Sequence, residues 1–226
     1  MASAAASSVV RVSAEGVDLE GDLAVPPGAT GVVLFAHGSG SSRHSRRNQY
    51  VAGELNDHGL ATLLIDLLSA DEGRVDERTA QFRFDIPLLA RRLVETVHWL
   101  LAHDETTPLR VGLFGASTGA AAALIAAAQL PGAIRAVVSR GGRPDLAGDF
   151  LSLVRAPVLL LVGGRDPQVL QLNEEARTHL RSPSRLVVVP GAGHLFEEQG
   201  ALDEVARSAR SWFGEYLSST SDSRGG

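Results

Sequence analysis

The amino-acid sequence predicts a doubly wound α/β domain, a mostly parallel sheet of about eight strands with helices on both faces. Three observations predict it. Short apolar runs rich in valine and leucine alternate with segments whose apolar residues recur at helical spacing, from Val9 to about Leu217. Several runs are continuous rather than alternating, as in strands buried on both faces. At Val111 an apolar run begins that ends in Gly115-Ala116-Ser117-Thr118-Gly119 and passes at once into an alanine-rich stretch. That order reads as strand, tight turn and helix.

Taken in order, Val9–Val12 and Val17–Val25 form an opening antiparallel pair, closed by the Pro26-Pro27-Gly28 turn. Val32–Ala36 is a strand buried on both sides, followed by a helix from about Arg47 to His58 and a strand over Ala61–Leu67. Ile86, Leu89, Leu93, Val97 and Leu100 mark a long helix within Phe84–His103. The strand Val111–Phe114, the helix Ala120–Leu130 and the strand Ile134–Val138 follow. Val158–Val162 is a strand, Val169–Leu180 a helix, Leu186–Val189 a strand and Leu202–Leu217 a closing amphipathic helix. Only 19 residues separate Val138 from Val158, too few for a helical cap domain, so any site at this end is open and shaped by loops.

Bulk properties narrow the function. With 226 residues, 44% of them apolar, and a net charge of −5, the chain fits one domain with a full core. Residues 9–217 make up that domain, residues 1–8 read as a flexible N-terminus and residues 218–226 as a disordered tail. The mild charge argues against a nucleic-acid partner. The absence of cysteine excludes disulfides, thiolate metal sites and a thiol nucleophile. All 21 basic residues are arginine, which reads first as the codon usage of a GC-rich genome. The opening residues have neither the charged nor the apolar region of a secretory signal, and no run approaches the roughly 20 apolar residues that span a bilayer. The expectation is a cytoplasmic protein with no membrane partner, no cofactor and no metal.

The Gly115–Gly119 turn carries the chemistry. A G-x-S-x-G sequence between strand and helix lifts a serine hydroxyl clear of the sheet, with the helix N-terminus behind it where an oxyanion would form. A serine nucleophile needs a base, and the base an orienting carboxylate, here in the chain order serine, acid, histidine. Downstream of Ser117 stand two histidines. His179 falls within a helix, whereas His194 lies in a glycine-rich loop at the carboxyl end of a strand, where catalytic groups of parallel sheets collect. Asp166 follows a buried strand through Gly163 and Gly164 and is the expected acid, its Pro167 neighbour also suiting it to cap a helix. Asp145, after the preceding strand, is the alternative. The backbone N–H groups of Ser39, in His37-Gly38-Ser39-Gly40, and of Thr118 are the expected oxyanion donors. His37 itself reads as a residue that fixes the loop.

These loops, in this order and spacing, resemble those of the compact, capless dienelactone-hydrolase-like group of α/β-hydrolases, over about Val9 to Leu217. The resemblance implies the α/β-hydrolase fold and acyl-enzyme hydrolysis. Dienelactone hydrolases proper carry a cysteine nucleophile where this chain has Ser117. That difference moves the expected activity to a serine hydrolase cleaving a carboxylic ester, lactone or thioester.

Two further expectations concern substrate and alternatives. Arg43, Arg46 and Arg47 follow the oxyanion loop, and Arg140 and Arg143 follow the sixth strand, so Arg47, Arg140 and Arg143 are candidates for binding an anionic ester. The competing account is that these are solvated loop charges or pair with nearby acids. Acyl transfer to an alcohol or thiol would use the same triad, and a non-catalytic binding protein could share the fold. The partner is therefore a small-molecule ester, and the helices Val169–Leu180 and Leu202–Leu217 are compatible with a monomer or a homodimer.

Overall fold

In a computed structural model, which describes residues 7–218 of the chain, the eight strands form one sheet. They are β1 (Ser7–Ala14), β2 (Val17–Ala24), β3 (Gly31–Ala36), β4 (Ala61–Ile65), β5 (Arg110–Ala116), β6 (Ile134–Arg140), β7 (Val158–Gly163) and β8 (Ser184–Val189). Their spatial order is β1-β2-β4-β3-β5-β6-β7-β8. β1 pairs antiparallel with β2 and β2 antiparallel with β4, and every later pairing is parallel.

The helices are α1 (Arg46–Asn56), α2 (Ala70–Thr79), α3 (Ile86–Ala102), α4 (Thr118–Gln129), α5 (Pro167–His179) and α6 (Ala201–Leu217). Two cores follow from the doubly wound order. On one face, α3, α4 and part of α5 pack against Val32, Leu34, Leu113, Val137 and Leu160. On the other, α1 and α6 cover Val33, Phe35, Phe114, Val138 and Leu161, with the Phe35 and Phe114 rings stacked 4.8 Å apart. Alternate residues of β3 and β5 feed opposite cores, so these central strands read as unbroken apolar runs.

The structure departs from the sequence expectation in three places. β1 begins at Ser7, so Ser7 and Ser8 belong to the sheet rather than to a flexible end; residues 1–6 and the tail from 219 onward lie outside the described residues. The helix α2 was not expected. It buries only Asp76 and so shows no apolar stripe, but Ser69 and Glu72 form a reciprocal capping box at its start. Between β6 and β7 the chain folds into a 3₁₀ segment, Pro144–Leu153, kinked at Gly148, which packs on α4 and α5. The connection therefore adds to one helical layer instead of roofing the site. No described helix is long and apolar enough to cross a membrane.

Candidate active site

The carboxyl ends of β3, β5, β6, β7 and β8 bring the candidate residues together. Ser117 stands between β5 and α4 with φ 51° and ψ −121°, a left-handed conformation that costs a residue with a Cβ on the order of 1–3 kcal/mol. Its surroundings hold it there. The Ser117 N–H donates to Arg140 O at 3.2 Å, and the Arg143 N–H donates to Ser117 O at 3.1 Å. A Cβ on Gly119 would lie 2.4 Å from the carbonyl oxygens of both Ala36 and His37. Glycine there lets the start of α4 press against the end of β3, which sets the serine beside the loop that follows.

Asp166 and His194 meet across the loops after β7 and β8. His194 Nδ1 is 2.7 Å from Asp166 Oδ2, and Asp166 Oδ1 also accepts from the Val169 N–H, capping α5. The loops are tied by the Arg165 N–H to Ala192 O (2.8 Å) and the Gly164 N–H to Val189 O (2.9 Å). A Cβ on Gly163 would fall 2.5 Å from the carbonyls of Ala192 and Gly193, so only glycine permits this approach. Glu198 adds a brace that sequence reasoning missed. It accepts from the Gly193 N–H at 3.0 Å and from Arg165 at 2.7 Å, and these donors hold its carboxyl below the ordinary range, the Gly193 bond first. The His194 ring lies against the start of the β6 loop, its Cε1 3.7 Å from where a Gly141 Cβ would stand. Ser117 and His194 share no direct side-chain hydrogen bond; in hydrolase sites such bonds commonly tighten only around substrate.

Asp145, the alternative acid, is engaged by its own neighbour. Both its carboxylate oxygens take the guanidinium of Arg143, at 2.9 and 2.7 Å. The same pairing gives Arg143 a counter-charge on the Nε/Nη2 edge of its guanidinium. Arg43 is likewise engaged, by Asp66, Glu20 and Asp22. Arg47 pairs with Glu197 at 3.2 Å. Arg140 is different: it is 7% exposed, bonds only Asn48 Oδ1 (3.3 Å), and its guanidinium is pushed down to about 10 by burial and then by the nearby charge of Arg47.

The loop after β3 differs from the expectation. The Ser39 N–H does not face an empty hole but donates to Thr118 Oγ1 at 2.9 Å. Sequence reasoning weighed only the backbone of Thr118 and missed its hydroxyl. The Thr118 N–H, at the first position of α4, has no intrahelical partner by helix geometry and remains the available donor. On the far side of this loop opens a cleft of about 730 Å³, walled by Ser39, Arg43, Asp66, Asp76 and Arg83 among others, with neither Ser117 nor His194 in its lining. Its main charges are paired within the wall, Arg43 with Asp66 and Arg83 with Asp76.

His37 is fixed as the sequence suggested. Its Nε2 accepts the Leu67 N–H at 3.0 Å, so Nδ1 carries the proton and donates to Gly38 O at 2.9 Å. Both nitrogens of a neutral ring are used to join the β3 and β4 loops, and burial lowers its pKa from the usual 6.5. The unfolded chain takes up a proton near pH 6.5 while folded His37 stays neutral, so its stability contribution is present above that pH and is lost as pH falls toward the lowered folded value. Denaturant midpoints measured from pH 7.5 downward should fall more steeply for wild type than for His37→Gln. Parallel slopes would show that His37 is not held neutral.

Sheet order, strained serine turn and the Asp–His pair across adjacent loops define an α/β hydrolase. Known proteins of similar sequence and structure agree. Residues 19–217 match the dienelactone hydrolase family, and the chain belongs to that family. A crystal structure of dienelactone hydrolase from Anabaena variabilis is 56% identical, with a TM-score of 0.94 over 95% of this chain and 100% of that one. "Putative phosphoribosyl transferase Rv0571c" of Mycobacterium tuberculosis is 55% identical over 208 residues, 92% of this chain but 46% of its own length. The chain thus spans about half the length of that curated relative. Est1E of Butyrivibrio proteoclasticus, solved with ferulic acid bound, shares the fold at 18% identity and a TM-score of 0.78, covering 92% of this chain and 98% of that one.

Proposed function

We propose that this hydrolase cleaves a carboxylic ester, lactone or thioester through a serine acyl-enzyme. The observation that carries the reading is the 2.7 Å bond from His194 to Asp166, formed beside a serine held in a strained backbone conformation. In the reaction, Ser117 Oγ attacks the carbonyl carbon while His194 Nε2 takes the hydroxyl proton and Asp166 holds the ring through Nδ1. The tetrahedral oxyanion is stabilised by the Thr118 and Ser39 N–H groups. Collapse breaks the bond to the leaving alkoxide or thiolate, which leaves with the proton from His194, and water then resolves the acyl-enzyme by the same route. The phosphoribosyl transferase name belongs to relatives about twice as long. We assign to this chain the hydrolytic chemistry only. The test is turnover of p-nitrophenyl esters of graded chain length, together with labelling of Ser117 by a fluorophosphonate; failure of both would remove the reading.

The Thr118 hydroxyl bears on rate. It holds the Ser39 N–H at 2.9 Å, about where a substrate oxyanion must sit, so it has to give way as charge develops. A neutral hydrogen bond of this kind is worth about 1 kcal/mol, or roughly fivefold in rate. Thr118→Val, of equal shape, should raise kcat by up to about that factor, with Thr118→Ser close to wild type. A fall in kcat of tenfold or more in the valine variant would instead make the hydroxyl a transition-state donor.

A further inference from the structure

Arg140 carries a buried charge with no counter-charge. It is 7% exposed at the carboxyl end of β6, its Nε has no hydrogen-bond partner, and no carboxylate pairs with it among the described residues. Its guanidinium lies 5.8 Å from the Phe196 ring centroid and points at Asn48, in the first turn of α1. An unpaired buried guanidinium is strongly unfavourable, and folds seldom retain one without a use.

The first turn of α1 compounds the imbalance. After its Ser45 cap come Arg46 and Arg47, and no acidic residue stands there to answer the positive end of the helix dipole. Arginines at that end are on the wrong side of the dipole. Arg47 Nε is also buried without a partner, and the one acid it meets, Glu197, has a 67% exposed side chain, so water competes for that pair. Two guanidinium groups and a helix N-terminus thus converge on one place, with a single weakly held carboxylate against them.

We propose that Arg140, Arg47 and the N-terminus of α1 form a binding site for a phosphate monoester group carried by the substrate. Helix N-termini and guanidinium forks are the two protein groups best matched to phosphate oxygens. Two guanidinium charges also match the charge of a phosphate monoester near neutral pH, about −1.5 to −2. The backbone of Arg140 adjoins the candidate nucleophile. Arg140 O accepts the Ser117 N–H at 3.2 Å, and the next residue, Gly141, lies against His194. Of the arginines singled out in the sequence, Arg143 already has its counter-charge in Asp145, whereas Arg140 has none among the described residues. The role in substrate binding rests on the ester-hydrolase reading; the anion site itself does not.

The experiment separates the two by measuring binding without turnover. Inorganic phosphate, titrated into the Ser117→Ala protein by calorimetry, should bind saturably, and it should inhibit wild-type ester hydrolysis competitively. Arg140→Gln and Arg47→Gln should each weaken phosphate binding at least tenfold, whereas Arg177→Gln, at the far end of α5, should not. In phosphate-free buffer Arg140→Met should raise Tm, because it removes an uncompensated buried charge. Absence of binding to Ser117→Ala, binding undiminished in both arginine variants, acetate bound as tightly as phosphate, or a lowered Tm for Arg140→Met would each overturn the proposal. Phosphate binding to a protein that hydrolyses no ester would leave the anion site standing and remove the hydrolase reading instead.

Discussion

Ser117→Ala should lower ester turnover by several orders of magnitude while leaving substrate binding nearly intact. The residual rate is set by binding and the oxyanion donors, which in serine hydrolases of known triads still give on the order of 10³–10⁴ over water. The backbone adds an independent check. Ser117 is held at φ 51°, a conformation that alanine tolerates no better than serine but that glycine adopts freely. Ser117→Gly should therefore be as inactive as the alanine variant yet more stable, by about 1–2 kcal/mol in denaturant unfolding. Inactivity coupled to a gain in stability is what a strained nucleophile turn predicts. An alanine variant with near wild-type turnover would end the serine mechanism, and an unchanged stability for Ser117→Gly would mean that the turn is not strained.

The parts of the fold legible in the sequence are those whose burial pattern is one-sided or complete. β3, β5 and β7 are unbroken apolar runs because each feeds a core on both faces, and α3 shows its stripe because one side alone faces the sheet. The helix α2 was hidden for the opposite reason. It lies on the surface and is polar all round, and its one sequence mark is the Ser69/Glu72 cap. That cap does more than start a helix, since Glu72 also accepts from the buried Arg92 at 2.6 Å.

The candidate site was legible where chain order dictates it and obscure where geometry does. Ser117, Asp166 and His194 each follow a strand, so their convergence is a property of the topology. Which partner each arginine takes depends on side-chain directions that no spacing encodes. Arg143 and Asp145, two residues apart, satisfy each other locally, whereas Arg140 reaches 92 residues back along the sequence to Asn48. The engagement of the Ser39 N–H by Thr118, 79 residues away, was equally out of reach.

Asp166→Asn should be nearly as damaging as loss of the nucleophile, and it does so without disturbing the fold. The Asp166 carboxylate has two tasks. Oδ1 accepts the Val169 N–H and caps α5, while Oδ2 accepts the Nδ1 proton of His194 at 2.7 Å. Asparagine caps a helix about as well as aspartate, so the first task survives. The second does not, because an amide lacks the charge that stabilises the imidazolium formed when Ser117 is deprotonated and can stabilise the wrong ring tautomer. In the serine-protease triad the same change costs on the order of 10⁴ in kcat. A comparable fall is expected here, with an unfolding midpoint within a degree or two of wild type, on the order of a few tenths of a kcal/mol. Asp166→Ala should lose the activity and, in addition, about 1 kcal/mol of stability with the cap. Asp145→Asn, which loosens only the Arg143 fork, is the control for a general effect of removing an acid at this end of the sheet. If Asp145→Asn proves the more damaging of the two asparagine variants, the acid belongs to the β6 loop and the bond between Asp166 and His194 is not the one that catalysis uses.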